Sequence, residues 1–245
     1  MLAHYAAPPG ALTYPAGMSA APQSPSPRLS LTERRKAETE REIARAAADL
    51  FSARGAAAVT AEGIAREAGI SLRTFYRYFR TKEEAVAPLL TGGVRRWLDV
   101  LAAAPGQLPL TEALERAVRQ ALTPQDEAAA EALHRTRGLL RAIPGDPGLR
   151  TVWHRVHATT EEALVPVLTG LARPDADPLD IRLLAAAANS AMRIAVESWA
   201  ADDADRNPAE LAVQCLRKLT ANLDVPRAPS GRTTGADDGA PAGTL

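Results

Sequence analysis

Arg73, Thr74, Tyr76 and Arg77 fall within five consecutive positions of the sequence. They bring together two guanidinium groups, a phenol and a hydroxyl, with no carboxylate among them. Such side chains reach phosphate oxygens and base edges through hydrogen bonds, so they offer recognition of a nucleic acid rather than the making or breaking of bonds. Lys82 follows closely. At the expected start of a further helix, its ammonium and the free backbone amides together suit a phosphate.

The residues around this group explain how it would be presented. The Thr60 hydroxyl can cap a helix from Ala61 to about Ala68, with Ile64, Ala65 and Ala68 as its buried stripe. Gly69 supplies the positive φ that ends the helix, Ile70 turns into the core and Ser71 caps the next helix. Leu72, Phe75 and Phe79 lie at i, i+3 and i+7 and should share one buried face. The polar side chains between them are then turned outwards, on a helix whose width fits the major groove. Thr81 and Glu84 have capping-box spacing and predict a helix starting at Lys82. Gly63 costs about 1 kcal/mol inside the first short helix and is read as room for close helix packing.

From about Glu33 to Leu90 the sequence resembles the DNA-binding domain of the tetracycline-repressor-like (TetR) family of transcriptional regulators. The residues that carry the resemblance are Ile64-Ala65, Ala68-Gly69-Ile70-Ser71, Thr74-Phe75-Tyr76-Arg77-Tyr78-Phe79 and Lys82. It implies that Thr60, Thr74, Tyr78 and Lys82 contact phosphates and that Ser71, Arg73, Tyr76 and Arg77 reach bases. The implied fold is all-α, with an N-terminal three-helix helix-turn-helix DNA-binding domain and a C-terminal helical ligand-binding and dimerisation domain. The implied partners are a double-stranded operator DNA, a second copy of the chain and a small hydrophobic effector.

Composition agrees with this division. The 245 residues carry no net charge, but the charge is unevenly spread. Arg28 to Lys82 holds twelve basic and seven acidic residues, whereas the remainder from Glu83 holds seventeen and twenty-two. A basic module on an acidic body is the electrostatic pattern of a DNA reader joined to a domain that does not touch DNA. No stretch is long and apolar enough to span a membrane, the N-terminus lacks the pattern of a secretory signal, and Cys215 is the only cysteine; a cytoplasmic protein is expected.

Residues 1–27 are rich in Pro, Ala, Gly and Ser and lack charged side chains, so a disordered tail is expected there, and another over 226–245. The DNA-binding domain is placed at 28–82 and the ligand-binding and dimerisation domain at 83–225. Ser30 and Glu33 are spaced to cap a first long helix with Ile43, Ala47, Leu50 and Phe51 inward and Gly55 at its end. Further helices are predicted at about 81–104, 110–122, 125–142, 147–170, 178–202 and 208–223, and no strand. Leu183, Leu184, Ala187, Ala188, Ala191, Ile194, Ala195 and Ser198, with Leu211, Cys215, Leu216 and Leu219, form apolar faces on the last two helices. The resemblance assigns these faces to a two-fold dimer interface, while the stripes alone would equally fit an internal core.

The residues expected to wall an effector pocket are Trp97, Leu101, Leu133, Arg137, Leu140, Trp153, His157, Met192 and Val196. The C-terminal half is similar to actinobacterial regulators that sense acyl-CoA-like molecules. In that reading Arg137, Arg141 or Arg193 meets a phosphate or carboxylate. His154, His157 and Glu161 have spacing a metal ion could bridge, but His134 is the only other histidine of the body and no cysteine is near, so no metal or other cofactor is expected. There is no glycine-rich phosphate loop, nucleophile elbow or His/Cys cluster, and no catalysis is expected. Two other readings fit the same residues. One is a DNA-binding protein whose second domain serves only pairing or a protein partner; the other is a helical carrier or enzyme that has lost DNA binding.

Overall fold

The computed structural model describes residues 30–225 apart from 107, 205 and 224. The tails expected at 1–27 and 226–245 lie outside the described residues, as does Arg28. The described chain folds as α1 (Leu31–Arg54), α2 (Ala61–Glu67), α3 (Leu72–Tyr78), α4 (Ala87–Ala102), α5 (Leu110–Leu122), α6 (Glu127–Ala142), α7 (Pro147–Leu171), α8 (Pro178–Ala201) and α9 (Pro208–Thr220). Single 3-10 turns occupy Ala56–Ala58, Glu84–Val86 and Ile143–Gly145.

Local sequence sets most of these boundaries. Ser30 Oγ accepts the Glu33 amide at 3.2 Å and the Glu33 carboxylate takes the Ser30 amide at 2.7 Å, closing the expected box at the start of α1. Gly55, at φ 72°, ends that helix. Asp126, Asp146, Asp177 and Asn207 cap α6, α7, α8 and α9 with their side chains. Prolines stand at the first helical position of α7, α8 and α9, where a missing amide costs nothing.

Two local expectations are corrected. No helix begins at Lys82: Thr81 Oγ1 accepts the Glu84 amide at 3.2 Å, but the Glu84 carboxylate takes the Arg80 amide at 3.2 Å instead of completing the box. A 3-10 turn follows, and α4 starts at Ala87 with Pro88 in its first turn. Pro88 therefore helps to start this helix. At Gly63 a Cβ would lie 3.3 Å from Thr60 Oγ1. The glycine makes room for the capping hydroxyl of its own helix, not for a neighbouring one.

One continuous apolar core runs from Ile43 in α1 to Val225. α1 packs on α2 and α4, and also lies across α6 of the C-terminal half. This explains why Ala44, Ala46 and Ala48 are buried beside the stripe of Ile43, Ala47, Leu50 and Phe51. Gly148 at the start of α7 approaches Glu83, and Arg155 pairs with Glu84 at 3.4 Å, so the end of the reader is tied to the body a second time.

α8 and α9 pack closely on each other, and α9 is held to α5 by a two-pronged Arg217–Glu115 pair at 2.8 and 2.6 Å and by Arg119–Glu210. The apolar faces expected between two copies are divided by this packing. Leu184, Ala188, Ala191, Ala195, Leu211 and Leu216 are buried within the protomer. Leu183, Ile194, Ser198 and Leu219 remain exposed. Leu179, at 59% exposure, joins Leu183 on the outer face of α8 one turn earlier.

Candidate functional site

The turn between α2 and α3 is fixed by backbone and cap together. Thr60 Oγ1 accepts the Gly63 amide at 3.0 Å, Gly69 stands at φ 67°, and the Ile70 amide returns to the Ala65 carbonyl at 2.9 Å. Ser71 Oγ then accepts the Thr74 amide at 3.1 Å and shares a hydrogen bond with Thr74 Oγ1 at 2.9 Å. Phe75 and Phe79 are buried in the core and orient α3, which packs on α2. Arg73, Tyr76 and Arg77 are consequently exposed, Tyr76 by 55%.

Aromatic packing steadies this outward row. The Tyr76 ring meets Phe75 edge-on at 5.5 Å between centroids, and the Arg77 guanidinium lies 5.3 Å from the centre of the Tyr78 ring. Tyr78 itself is half-buried against the core. Leu72 departs from the expected buried face and is 40% exposed. It occupies the first turn of a seven-residue helix, outside the region that Phe75 and Phe79 enter. An apolar side chain there, beside Arg73, suits a thymine methyl group. Sequence spacing had hidden it by placing it in the phenylalanine row.

Lys82 is built into the reader more deeply than its sequence position suggests. Its Nζ donates to the Ala56 carbonyl at 2.6 Å and the Val59 carbonyl at 2.8 Å, and lies 3.7 Å from Glu83. The ammonium thus closes the turn between α1 and α2. It retains one N–H for an outside acceptor.

In the body, a cavity of about 290 Å³ opens where α1, α4, α5, α6, α7 and α8 meet. Six of the expected wall residues line it: Trp97, Leu133, Leu140, Trp153, Met192 and Val196. Leu101 is fully buried core away from it. Trp199 lines it as well, and its place one turn beyond Val196 on the Met192 row of α8 was readable in the sequence. All three tryptophans of the chain therefore face this space. The Trp153 indole N–H donates to Glu197 at 2.6 Å, which also pairs with Arg193 at 3.1 Å. The Trp97 indole N–H is buried without a partner among the described residues.

Three arginines expected to meet an anion have other duties. Arg137 donates to the Asp202 carbonyl at 2.6 Å and stacks 5.0 Å above the Trp199 ring. Arg141 donates to the Ala200 carbonyl at 2.6 Å and pairs with Asp203 at 3.0 Å. Both bind the open carbonyls at the C-terminal end of α8 and complement its dipole. Arg193 is taken by Glu197. The cations at the cavity are instead Arg41 and Arg45 of α1, Arg96 of α4 and Arg135 of α6. Their convergence depends on α1 crossing the body, which residue spacing does not reveal.

His157 also stands outside the cavity walls. It is buried, its Nδ1 lies 2.9 Å from Asn189 Oδ1, and Asn189 Nδ2 donates to the His157 carbonyl at 3.0 Å. Burial holds the imidazole pKa below its ordinary value, with the Asn189 hydrogen bond opposing. His154, one turn earlier on α7, is exposed.

Residues 43–87 match the family model described as bacterial regulatory proteins, tetR family. The HTH-type transcriptional regulator TcmR of Streptomyces glaucescens is 28% identical over 175 residues, covering 69% of this chain and 76% of TcmR. Among solved structures, the fatty acid degradation regulator FadR of Bacillus halodurans aligns with TM-score 0.53 at 19% identity, over 76% of this chain and 97% of that one. A TetR-family transcriptional regulator of Mesorhizobium loti aligns with TM-score 0.50 at 22% identity, over 78% and 99%. At these identities the two structures support the fold. No helix among the described residues is long and apolar enough to cross a membrane.

Proposed function

We propose that the chain is a regulator of the TetR kind, which the match over residues 43–87 and the likeness to TcmR support, and that it represses transcription in the cytoplasm as a homodimer. In this reading the dimer binds a pseudo-palindromic operator and is released by a small hydrophobic effector. The observation that carries the reading is α3: Phe75 and Phe79 anchor one side and leave Arg73, Tyr76 and Arg77 exposed on the other. Ser71, Thr60, Thr74, Tyr78 and the remaining N–H of Lys82 surround that row and supply the phosphate and base contacts.

The exposed Leu179, Leu183 and Ile194 of α8 and Leu219 of α9 form the surface that pairs two copies. Pairing sets the two recognition helices at about 34–36 Å, the spacing of successive major grooves. The effector occupies the cavity under Trp97, Trp153 and Trp199, whose apolar walls suit an acyl chain such as that of an acyl-CoA-like molecule. Arg41, Ala44 and Arg45 of α1 and Pro88 to Trp97 of α4 share this cavity. A ligand there bears on the reader's first helix and on the helix that joins it to the body, so it shifts the population away from the DNA-binding spacing.

The test is binding of the purified protein to the DNA upstream of its own gene, against unrelated DNA at physiological salt. Saturable binding that survives the competitor supports the reading. Affinity no better than for the competitor counts against it and favours a carrier or a protein partner.

A further inference from the structure

We infer that the effector is an anion, and that its charged head is held between Arg41 and Arg45 of α1 and Arg96 of α4. This rests on the effector cavity proposed above and specifies the ligand that the cavity takes.

Charge on the cavity wall sets the first requirement. Among the described residues that line it there are four arginines and no aspartate or glutamate. Arg135 is neutralised by Asp49 at 2.7 Å. Arg41, Arg45 and Arg96 are exposed at the rim and make no hydrogen bond or ion pair with the described residues. Arg41 and Arg45 are one turn apart and share a face of α1, so both guanidinium groups serve the same opening. Like charges gathered without counter-charge repel one another, and an entering oxyanion relieves that repulsion while accepting forked hydrogen bonds.

The inner wall adds a second requirement. Trp97 is 1% exposed, and its indole N–H has no acceptor among the described residues. A buried donor left unpaired is costly, and a ligand carrying a carbonyl, ether or phenolic oxygen would satisfy it. The ligand class is therefore an amphipathic oxyanion with an apolar body and an acceptor atom within that body. Because Arg41 and Arg45 belong to the reader and Arg96 to the helix that leaves it, the head bridges the joint between them. Charge on the ligand, and not volume alone, then couples the cavity to DNA binding.

The probes are 1-anilinonaphthalene-8-sulfonate, an aromatic anion, and N-phenyl-1-naphthylamine, its uncharged counterpart. Energy transfer from tryptophan reports binding in this cavity, since all three tryptophans line it. In the Arg41→Gln/Arg45→Gln double variant the sulfonate should lose about tenfold in affinity while the neutral amine binds as to wild type. Added salt should weaken only the sulfonate. Equal losses for both probes, or no loss for the sulfonate, would overturn the inference and leave the effector cavity standing. If neither probe bound the wild-type protein, the effector cavity would fall and the inference with it. Should the double variant melt early, Arg96→Gln on the other helix is read in the same way.

Discussion

Gly138 of α6 meets Ser52 of α1 where the two helices cross, so closely that a Cβ on residue 138 would lie 2.9 Å from Ser52 Cβ. The reader is thereby seated directly on the body and not only hung from it by α4. Gly138→Ala should force the helices apart and cost about 1–3 kcal/mol. Thermal melting measures this, and Ser52→Gly in the same chain should recover part of the loss. An unchanged melting temperature in Gly138→Ala would show that the crossing tolerates separation.

Lys82 joins two roles that are usually separate. Replacing it with alanine leaves the Ala56 and Val59 carbonyls without their donor and removes the charge proposed to meet a phosphate. Lys82→Ala should lower stability by about 1–3 kcal/mol in denaturant titration and reduce the salt slope of DNA binding by about 1. A change in slope alone would mean that its ammonium is free in solution.

His157 makes stability depend on pH. Burial lowers its folded pKa, so the unfolded chain takes up a proton first as pH falls below about 6.5. That difference favours unfolding, and the contribution is lost as pH drops through the folded pKa. Denaturant midpoints measured from pH 7.5 to 5 should fall for the wild-type chain. His157→Gln should flatten that dependence, even at a lower starting stability; an equal fall in both would assign it to other groups.

Leu183 tests the pairing surface. It is 45% exposed and stands outside the protomer core. Leu183→Glu should place a carboxylate in the apolar interface and yield monomers in light scattering, with the helix content unchanged. A dimer that persists would move the interface elsewhere.

The parts of this molecule that sequence revealed are those governed by neighbours along the chain. Ser30 with Glu33, Gly55, Thr60 and Ser71 each act within four positions, and the helices they bound fell close to expectation. Residues whose role depends on distant partners were harder to place. Leu72 belongs by period to the buried row, and only the reach of the α1–α2 core shows that it stands outside. Arg137 and Arg141 looked like anion binders because their acceptors, the carbonyls of residues 200 to 202, are some sixty positions away. Nothing in the spacing of Arg41 and Arg45 marks them as cavity residues, because only the crossing of α1 over the body brings them there.

The central claim is that α3 reads an operator, and hydroxyl-radical footprinting on the DNA upstream of the gene tests it most directly. Wild-type protein should protect two half-sites about one helical turn apart on one face of the duplex. Tyr76→Ala and Arg77→Ala, both exposed and outside the core, should abolish that pattern while leaving the dimer folded. Protection that persists unchanged in both variants would contradict the assignment of α3 as the recognition helix.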